Sequence, residues 1–339
     1  MSLGKSTLLT DHHHQKRKQR LSDALGGPAE KVTRPFQPCA SPCWRGVDAD
    51  IWVGERAGHS LLLKSWHPET SFYIEPSNSV VAAAHASQWG IGPKLPSMHE
   101  HPCDSSSVDH LVMEYLEKDW RVAGLQDMAS ETFRATVIAA KRYFQHARWE
   151  QQSLLPSIDP FEEVIGLASL LTHAYTYNKS PDKAGVYYPT QLPEWMTFVQ
   201  SAQRVIHSLG RDEYPVHRES DVSNIMVHST GRIRLLDYDS AARSDRFEDI
   251  GLFLFEAFEH EGGAREGFEQ WLGYFDEGEY QRAWLYGVLD NLRWGLIASL
   301  RSAYSPGSSL EFAKYAGWRF FRAHQTLQSS WQQRLSCVR

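Results

Sequence analysis

The sequence predicts an α+β protein of two lobes, a small β-rich N-terminal lobe with one helix and a large, mainly helical C-terminal lobe. The first observation is its length of 339 residues, about twice the roughly 150 residues of a typical domain. The second is the alternation of apolar and polar residues between 51 and 66, which is typical of half-buried strands. The third is the helical periodicity that dominates after about residue 119.

These changes of pattern also place the expected boundaries. We expect residues 1–34 to form a flexible extension, 35–113 the N-lobe, 114–118 a hinge and 119–339 the C-lobe. The first segment carries three consecutive histidines and a run of basic residues, a composition typical of a solvated leader.

The N-lobe is predicted to contain a hairpin, a helix and a strand. Short alternating segments between Ile51 and Trp66 flank a glycine-containing turn, which predicts the hairpin. The alanine-rich stretch Ser79–Trp89 predicts a helix, and Gly90-Ile91-Gly92-Pro93 ends it. Leu111–Met113 predicts a buried strand that continues into the connector Glu114–Leu116.

The C-lobe is predicted to be helical apart from one polar strip. Its amphipathic stretches span residues 131–150, 160–176, 194–209, 248–260, 279–303 and 310–330. The strip begins with Pro215-Val216-His217, which leads into a polar loop ending at Asn224. Strands are predicted at 225–228 and 233–236, with a turn at 229–231 between them.

Composition excludes several classes of protein. With 42% hydrophobic residues the chain is not disordered. A net charge of −6 argues against the excess of positive charge that is typical of nucleic-acid-binding proteins. Four cysteines are too few for a disulfide framework in a chain of this length. Because no apolar leader or membrane span is apparent, we expect a cytoplasmic protein without membrane or nucleic-acid partners. The oligomeric state is left open.

The polar strip carries a motif with fixed spacing. The loop His217–Asn224 has the form His-x-acid-x-x-x-x-Asn, and after the hairpin comes Leu235-Leu236-Asp237. This pattern resembles that of the aminoglycoside phosphotransferase and choline kinase-like family, relatives of protein kinases, in which the acid is Asp and the later Asp binds metal. Arg246–Gly251 is similar to the family's following helix start. The resemblance covers about 45–325.

The resemblance implies a protein kinase-like fold and a defined chemistry, ATP- and Mg²⁺-dependent phosphorylation of a hydroxyl on a small cationic acceptor such as an amino alcohol, amino sugar or aminoglycoside. Such catalysis depends on positioning and on neutralising phosphate charge. Asn224 and Asp237 supply the oxygen ligands that Mg²⁺ prefers. Lys64 is expected to contact the nucleotide phosphates, and Glu114 and Leu116 to present backbone groups to adenine.

The catalytic acid departs from the family pattern. Glu219 stands where the family has Asp, which keeps the charge but adds a methylene, and a base must lie within hydrogen-bond reach of the proton that it accepts. Three interpretations stay open: Glu219 is the base, Asp221 is an alternative base, or the chain has none. His217 is expected to support the loop. The last interpretation would make the protein a catalytically weak or inactive kinase-like nucleotide-binding protein.

Two further departures concern nucleotide binding. The family pairs its lysine with a helix glutamate, but the corresponding positions here are Asn78 or Ser79, and the nearest acid is Glu75. Either Glu75 turns inward or Lys64 lacks its usual partner. The phosphate-covering loop, residues 45–50, contains a single glycine.

The acceptor site is predicted from charge and aromatic residues. Residues 245–279 contain 11 acidic and 2 basic residues, which would attract a cation or simply form a solvated face. Aromatic residues in the last helices would favour a cation through cation–π attraction or belong to the core. We place Asp239, Glu256, Asp290 and Trp294 in the acceptor pocket.

Overall fold

The computed structural model describes seven ranges: residues 15–34, 47–96, 108–149, 155–177, 187–304, 309–328 and 330–339. The histidine run of the leader and the first two residues of the predicted phosphate-covering loop lie outside them. The chain divides into two compact units: unit 1 comprises residues 1–39, 45–122 and 225–239, and unit 2 comprises residues 40–44, 123–224 and 240–339. The predicted α+β class is confirmed.

Unit 1 is built on a four-stranded antiparallel sheet. Its strands follow chain order: β1 (Lys31–Thr33), β2 (Ala49–Arg56), β3 (His59–Trp66) and β4 (His110–Glu114). The turn between β2 and β3 contains Ala57 and Gly58, both with positive φ, 50° and 76°. Such a turn matches the twist of the two strands that it joins. The predicted hairpin and the predicted strand at Leu111–Met113 are both confirmed.

Residues 15–34 correct the expectation of a flexible extension. Residues 15–24 form a helix, α1. Leu21 of this helix is fully buried and packs with Leu63 and Val112 of the sheet. Arg20 adds an ion pair with Asp109 at 2.6 Å. Leu21, directly after the basic run, therefore anchors this segment to the sheet of unit 1.

Helix α2 (Pro76–Gln88) confirms the predicted alanine-rich helix. Gly90 follows it with a φ of 68°, a left-handed conformation that glycine adopts without strain. At Gly92 a Cβ atom would come within 2.9 Å of both Ala86 Cβ and the hydroxyl of Tyr238. The Gly-Ile-Gly segment thus allows close packing beside the helix end.

A second, three-stranded sheet completes unit 1. It has the order β5 (Trp120–Val122), β7 (Ile225–His228) and β8 (Ile233–Leu235). The β7–β8 hairpin was predicted, and its register pairs Ile225 with Leu235. The N–H of Leu235 donates to the carbonyl of Ile91 at 2.8 Å, which fixes the end of β8 near the end of α2.

Unit 2 is mainly helical. Its helices are α3 (Leu125–Met128), α4 (Glu131–His146), α5 (Pro160–Tyr177), α6 (Leu192–Leu209), α7 (Arg246–Ala257), α8 (Glu261–Leu272), α9 (Glu277–Tyr304), α10 (Ser309–Leu327) and α11 (Trp331–Ser336). A two-stranded ladder joins β6 (Glu213–Val216) and β9 (Ala242–Asp245). A helix is present in each of the six predicted stretches, although α4, α7 and α10 end at His146, Ala257 and Leu327, before the predicted ends. Within the described ranges, no helix combines the length and apolar composition needed to cross a bilayer.

Helix α8 was not predicted. Its glycines lower helix propensity, so the segment does not stand out as helical. Gly267 shows why a glycine is present, because a Cβ there would lie 2.3 Å from the ring of Phe258. Close packing explains a residue type that local propensity disfavours.

Candidate active site

In unit 1, a lysine on β3 lies between two carboxylates that follow β8. Lys64 Nζ donates to Asp237 Oδ1 at 2.7 Å and to Asp239 Oδ2 at 2.6 Å. The lysine side chain is 12% exposed, and that of Asp237 is 34% exposed. Together with Trp66 and Ser79, these three residues form what we call the Lys64 cluster.

Asp239 accepts hydrogen bonds on both of its oxygens. Oδ2 also accepts from Trp66 Nε1 at 2.9 Å, and Oδ1 accepts from Ser79 Oγ at 2.7 Å. Because its carboxylate is committed to neighbours within unit 1, we correct its assignment to the acceptor pocket. It is part of the lysine's surroundings.

Backbone geometry after β8 places Asp237 beside Lys64. Asp237 has a φ of 61°, a left-handed conformation that costs an L-residue about 1–2 kcal/mol. The next side chain supports this turn, since the hydroxyl of Tyr238 donates to the carbonyl of Leu235 at 3.1 Å. Strained backbone of this kind is concentrated at functional positions.

The Lys64 cluster has one cation against two carboxylates. Burial, followed by the neighbouring charge of Asp239, raises the pKa of Asp237 to about 6 despite the opposing effect of Lys64. Burial alone would lower the pKa of Lys64, but the two carboxylates raise it above its ordinary value. The excess negative charge suits the binding of an additional cation.

The structure identifies the partner of Lys64 that the sequence left open. Glu75 does not turn inward, because it precedes α2 and accepts a hydrogen bond from Ser77 Oγ at 3.0 Å. Helix α2 itself contains no acidic residue. The carboxylates that pair with Lys64 come instead from the segment after β8.

Two backbone N–H groups at the start of the connector after β4 are already used within the protein. The N–H of Glu114 donates to the carbonyl of Lys94 at 2.7 Å, and that of Tyr115 donates to Ser60 at 3.1 Å. An adenine ring would therefore use the carbonyl of Glu114 or groups from Leu116 onward. The roles of both predicted residues stay predictions.

In unit 2, the loop His217–Asn224 contains the candidate base. Glu219 Oε1 accepts from the N–H of Asp221 at 2.7 Å. Asp221 in turn accepts from the N–H of Ser223 through Oδ1 at 2.8 Å, and its carbonyl accepts from the N–H of Asn224 at 2.9 Å. The Asp221 side chain thus caps the short 3₁₀ turn Val222–Asn224.

A fully buried lysine supports this loop from helix α4. Lys141, 1% exposed, donates to the carbonyl of Glu219 at 2.6 Å and lies 3.4 Å from Asp249 Oδ1. Asp249 also accepts from the N–H groups of His217 at 3.0 Å and Arg218 at 2.8 Å. These contacts fix three consecutive backbone positions. His217, at the start of the loop, is itself buried.

The side chain of Arg218 extends this support. Its Nε donates to Glu248 at 2.7 Å, and Nη2 pairs with Glu163. Arg293 Nε donates to the other oxygen of Glu163 at 2.7 Å. Burial would raise the pKa of Glu163, but the two guanidinium groups lower it to about 2. We call Lys141, Arg218 and Arg293 with their carboxylates, Asp249, Glu163 and Glu248, the loop network.

The sequence did not reveal Lys141, and it named Ser79 only as a position where the family's helix glutamate is absent, without its bond to Asp239. Lys141 lies three residues after Ile138 and three before Phe144, so helical spacing puts it on the apolar face of α4. A lone cation there signals a buried partner. Ser79 offered a weaker signal, a polar residue opening an alanine-rich run.

The predicted acceptor residues Glu256 and Asp290 lie in unit 2 with two arginines of α10. Arg319 Nη1 is 3.0 Å from Glu256 and 3.8 Å from Asp290, and Arg322 is 2.7 Å from Glu256. Both guanidinium groups also lie over the ring of Trp318, at 5.0 and 5.1 Å. The chain's own arginines thus pair with Glu256 and lie over the aromatic face of Trp318, whereas the contact with Asp290 is longer.

Other predicted acceptor features belong to the packed interior. Trp294 is 8% exposed and lies under the guanidinium of Arg293, at 5.2 Å. Trp284 and Tyr286 are core residues. Basic residues from other segments pair with many acids of the 245–279 stretch, among them Asp245, Glu248, Asp249, Glu256, Glu261 and Asp276.

No protein-family model and no curated protein matches this sequence. Solved structures do match. A choline/ethanolamine kinase family protein from Mesorhizobium loti superposes with a TM-score of 0.72 at 17% identity, over 96% of this chain and 99% of that one. This chain has the protein kinase-like fold. The choline kinase LicA from Streptococcus pneumoniae gives 0.69 at 15% identity, over 94% and 99%.

A spectinomycin phosphotransferase, crystallised with ADP and spectinomycin, shares the kinase-like fold. Its TM-score is 0.56 at 11% identity, over 91% of this chain and 98% of that one. The expected resemblance to choline kinases and aminoglycoside phosphotransferases is therefore confirmed at the level of the fold. Identities this low leave the reaction and the acceptor to be argued from the residues themselves.

Proposed function

We propose that this protein is an ATP- and Mg²⁺-dependent phosphotransferase that phosphorylates a hydroxyl of a small cationic molecule. The observation that carries the proposal is the Lys64 cluster, in which a buried lysine meets Asp237 at the position of the metal-binding Asp in the sequence motif. Similar structures that were crystallised with AMP or ADP support nucleotide binding.

Magnesium would be held by Asp237 and Asn224. The excess carboxylate of the Lys64 cluster fits a divalent cation, and burial together with Asp239 already raises the pKa of Asp237. Asn224 is the second oxygen ligand that the sequence motif assigns. When bound, the ion would neutralise charge on the nucleotide phosphates. That both side chains bind one ion stays a prediction.

Glu219 is the favoured proton acceptor. Its carboxylate accepts a hydrogen bond from the N–H of Asp221. This bond folds the side chain back toward the backbone and so compensates for the extra methylene. Its carbonyl is held by Lys141, so the backbone from which it projects is well positioned. The competing candidate, Asp221, also accepts a backbone N–H through its carboxylate, so the preference for Glu219 rests on its place in the motif and on the contact with Lys141.

Asp290 supports a cationic acceptor. Burial raises the pKa of this carboxyl against the opposing effect of Arg319, whose guanidinium is 3.8 Å away. A protonated amine beside Asp290 would compensate the burial of its negative charge. An acceptor that carries both an amine and a hydroxyl fits this requirement.

The test is nucleotide titration followed by a transfer screen. Binding of ADP and ATP is measured by calorimetry with and without Mg²⁺, and phosphotransfer is then assayed on amino alcohols, amino sugars, aminoglycosides and neutral sugars. We expect Mg²⁺-dependent binding and transfer to an amine-containing acceptor. Nucleotide binding without transfer to any acceptor would favour an inactive kinase-like binding protein. Absence of nucleotide binding would overturn both functions.

A variant then tests the base. Glu219→Gln should still bind Mg²⁺-nucleotide but lose about 10²- to 10⁴-fold in turnover, the usual contribution of a general base. Glu219→Asp should retain turnover. Glu194→Gln, on the exposed face of α6, is the matched control and should behave as the unmodified protein. Full turnover by Glu219→Gln would exclude Glu219 as the base.

A further inference from the structure

The carboxylate of Asp239 is the most completely bonded group in the Lys64 cluster. It accepts from Lys64 and Trp66 of β3 and from Ser79 of α2, at 2.6, 2.9 and 2.7 Å. Since an ionised carboxylate offers about four acceptor sites, Asp239 has little capacity left for a ligand. Its side chain is 8% exposed.

The contact with Ser79 connects Lys64 to helix α2. The helix has no carboxylate of its own, so it cannot form an ion pair with the lysine. Ser79 is 1% exposed, and its hydroxyl donates to the same carboxylate that accepts from Lys64. Asp239 therefore joins β3 and α2 through one side chain, and the lysine is held by that junction.

Asp237 differs from Asp239 in both exposure and partners. Its side chain is 34% exposed, against 8% for Asp239, and among the described residues its side chain hydrogen-bonds to Lys64 alone. If Asp237 exchanged Lys64 for another cation, the lysine would keep its bond to Asp239. Asp237 is therefore placed to exchange its cation, and Asp239 is placed to support the lysine.

We propose that Asp239 is a positioning residue that anchors Lys64 to helix α2 through Ser79, so that Asp237 can exchange the lysine for a metal ion while Lys64 turns to the phosphates. The inference rests on the proposed function, because it assigns Lys64 to nucleotide binding. It also makes a structural claim about Lys64 that holds without nucleotide.

The first test is a double-mutant cycle in Mg²⁺-ADP affinity, with Lys64→Met, Asp239→Asn and the double variant. We expect Asp239→Asn to weaken binding about 10-fold, as loss of a charge-assisted pair implies. The double variant should be no weaker than Lys64→Met alone, because Asp239 acts through the lysine. Losses that multiply would overturn the proposal. Asp109→Asn, which removes an exposed pair with Arg20, is the control and should bind normally.

The second test needs no nucleotide and separates this proposal from the proposed function. Acetylation of each lysine by acetic anhydride is followed by mass spectrometry, with the exposed Lys31 as internal standard. In the Asp239→Asn variant and in the Ser79→Ala variant, Lys64 should be acetylated several-fold faster than in the unmodified protein. Unchanged labelling in both would overturn the anchor. If the unmodified chain bound no nucleotide, the proposed function would fail while the labelling still decided the role of Asp239.

The Ser79→Ala variant provides a second test that is less prone to misfolding, because it preserves every charge of the cluster. It should weaken Mg²⁺-ADP binding by about 5-fold, the change that corresponds to the usual loss of about 1 kcal/mol for one hydrogen bond. The conservative Asp239→Glu variant should recover part of the affinity lost in Asp239→Asn. A Ser79→Ala variant with full affinity and unchanged labelling would contradict the link through α2.

Discussion

The Lys64 cluster of unit 1 and the loop network of unit 2 are both made of buried or partly buried ionic side chains, but their charges are arranged differently. In the first, Lys64 faces two carboxylates. In the second, three cations face three carboxylates, and backbone groups of the loop take further acceptor sites. A balanced network needs nothing more, whereas an unbalanced cluster is stabilised by a further cation.

This difference separates framework from binding site. Removing one partner from a balanced buried network leaves a charge without compensation, so stability is lost. Removing the excess carboxylate from an unbalanced cluster relieves repulsion, so stability is kept. Activity would be lost for a separate reason, because the carboxylate proposed to bind metal is gone. Three substitutions test the distinction.

Asp237→Asn should have the largest effect. Loss of the carboxylate proposed to bind metal should reduce phosphotransfer by about 10³-fold or more, measured as turnover with the accepted substrate. The free energy of unfolding at pH 7 should stay level or rise. The pKa of Asp237 is raised to about 6, so the stability it contributes when protonated is present below pH 3.8 and lost as pH rises through about 6. Clear destabilisation at pH 7 would refute the proposed imbalance.

Lys141→Met should chiefly reduce stability. The variant leaves Asp249 buried without its lysine, a change that typically costs about 3–5 kcal/mol, measured by urea unfolding. Lys314→Met is the matched control, since Lys314 pairs with Glu311 on the surface of α10 and should change stability by less than about 1 kcal/mol. Equal effects in the two variants would contradict a framework role for Lys141.

Glu163→Gln should give the smallest effect, and one that depends on pH. The folded pKa of Glu163 is about 2 against an ordinary 4.5, so its stabilisation is present above about pH 4.5 and lost as pH falls toward 2. The shift corresponds to at most about 3 kcal/mol. Acid titration of the unfolding free energy should show the variant less stable at pH 7 and the two curves converging near pH 2. Parallel curves would contradict the pairing.

Local patterns were sufficient to predict much of the fold. The β2–β3 hairpin, helix α2, the β7–β8 hairpin and the six long helices all rest on periodicity and turn residues within one segment. The spacing from His217 to Asp237 likewise lies within one continuous strip, which is why the kinase-like fold could be predicted.

What could not be predicted depends on pairs that are distant in the chain. Lys64 and Asp239 are 175 positions apart, and Lys141 and Asp249 are 108 apart. No local pattern specifies such partners. Leu21 shows the same limit, because one apolar residue in a basic run gives no periodic signal, although it anchors α1 to the sheet.

The discontinuous course of unit 1 has a consequence for biosynthesis. Lys64 leaves the ribosome 173 residues before Asp237, an interval of about 10–35 s at ordinary rates of translation. Throughout that time strands β2 and β3 are complete, but the lysine has neither carboxylate partner. The nascent N-terminal segment must therefore keep this ammonium hydrated, and its final burial is among the later events in the maturation of the chain.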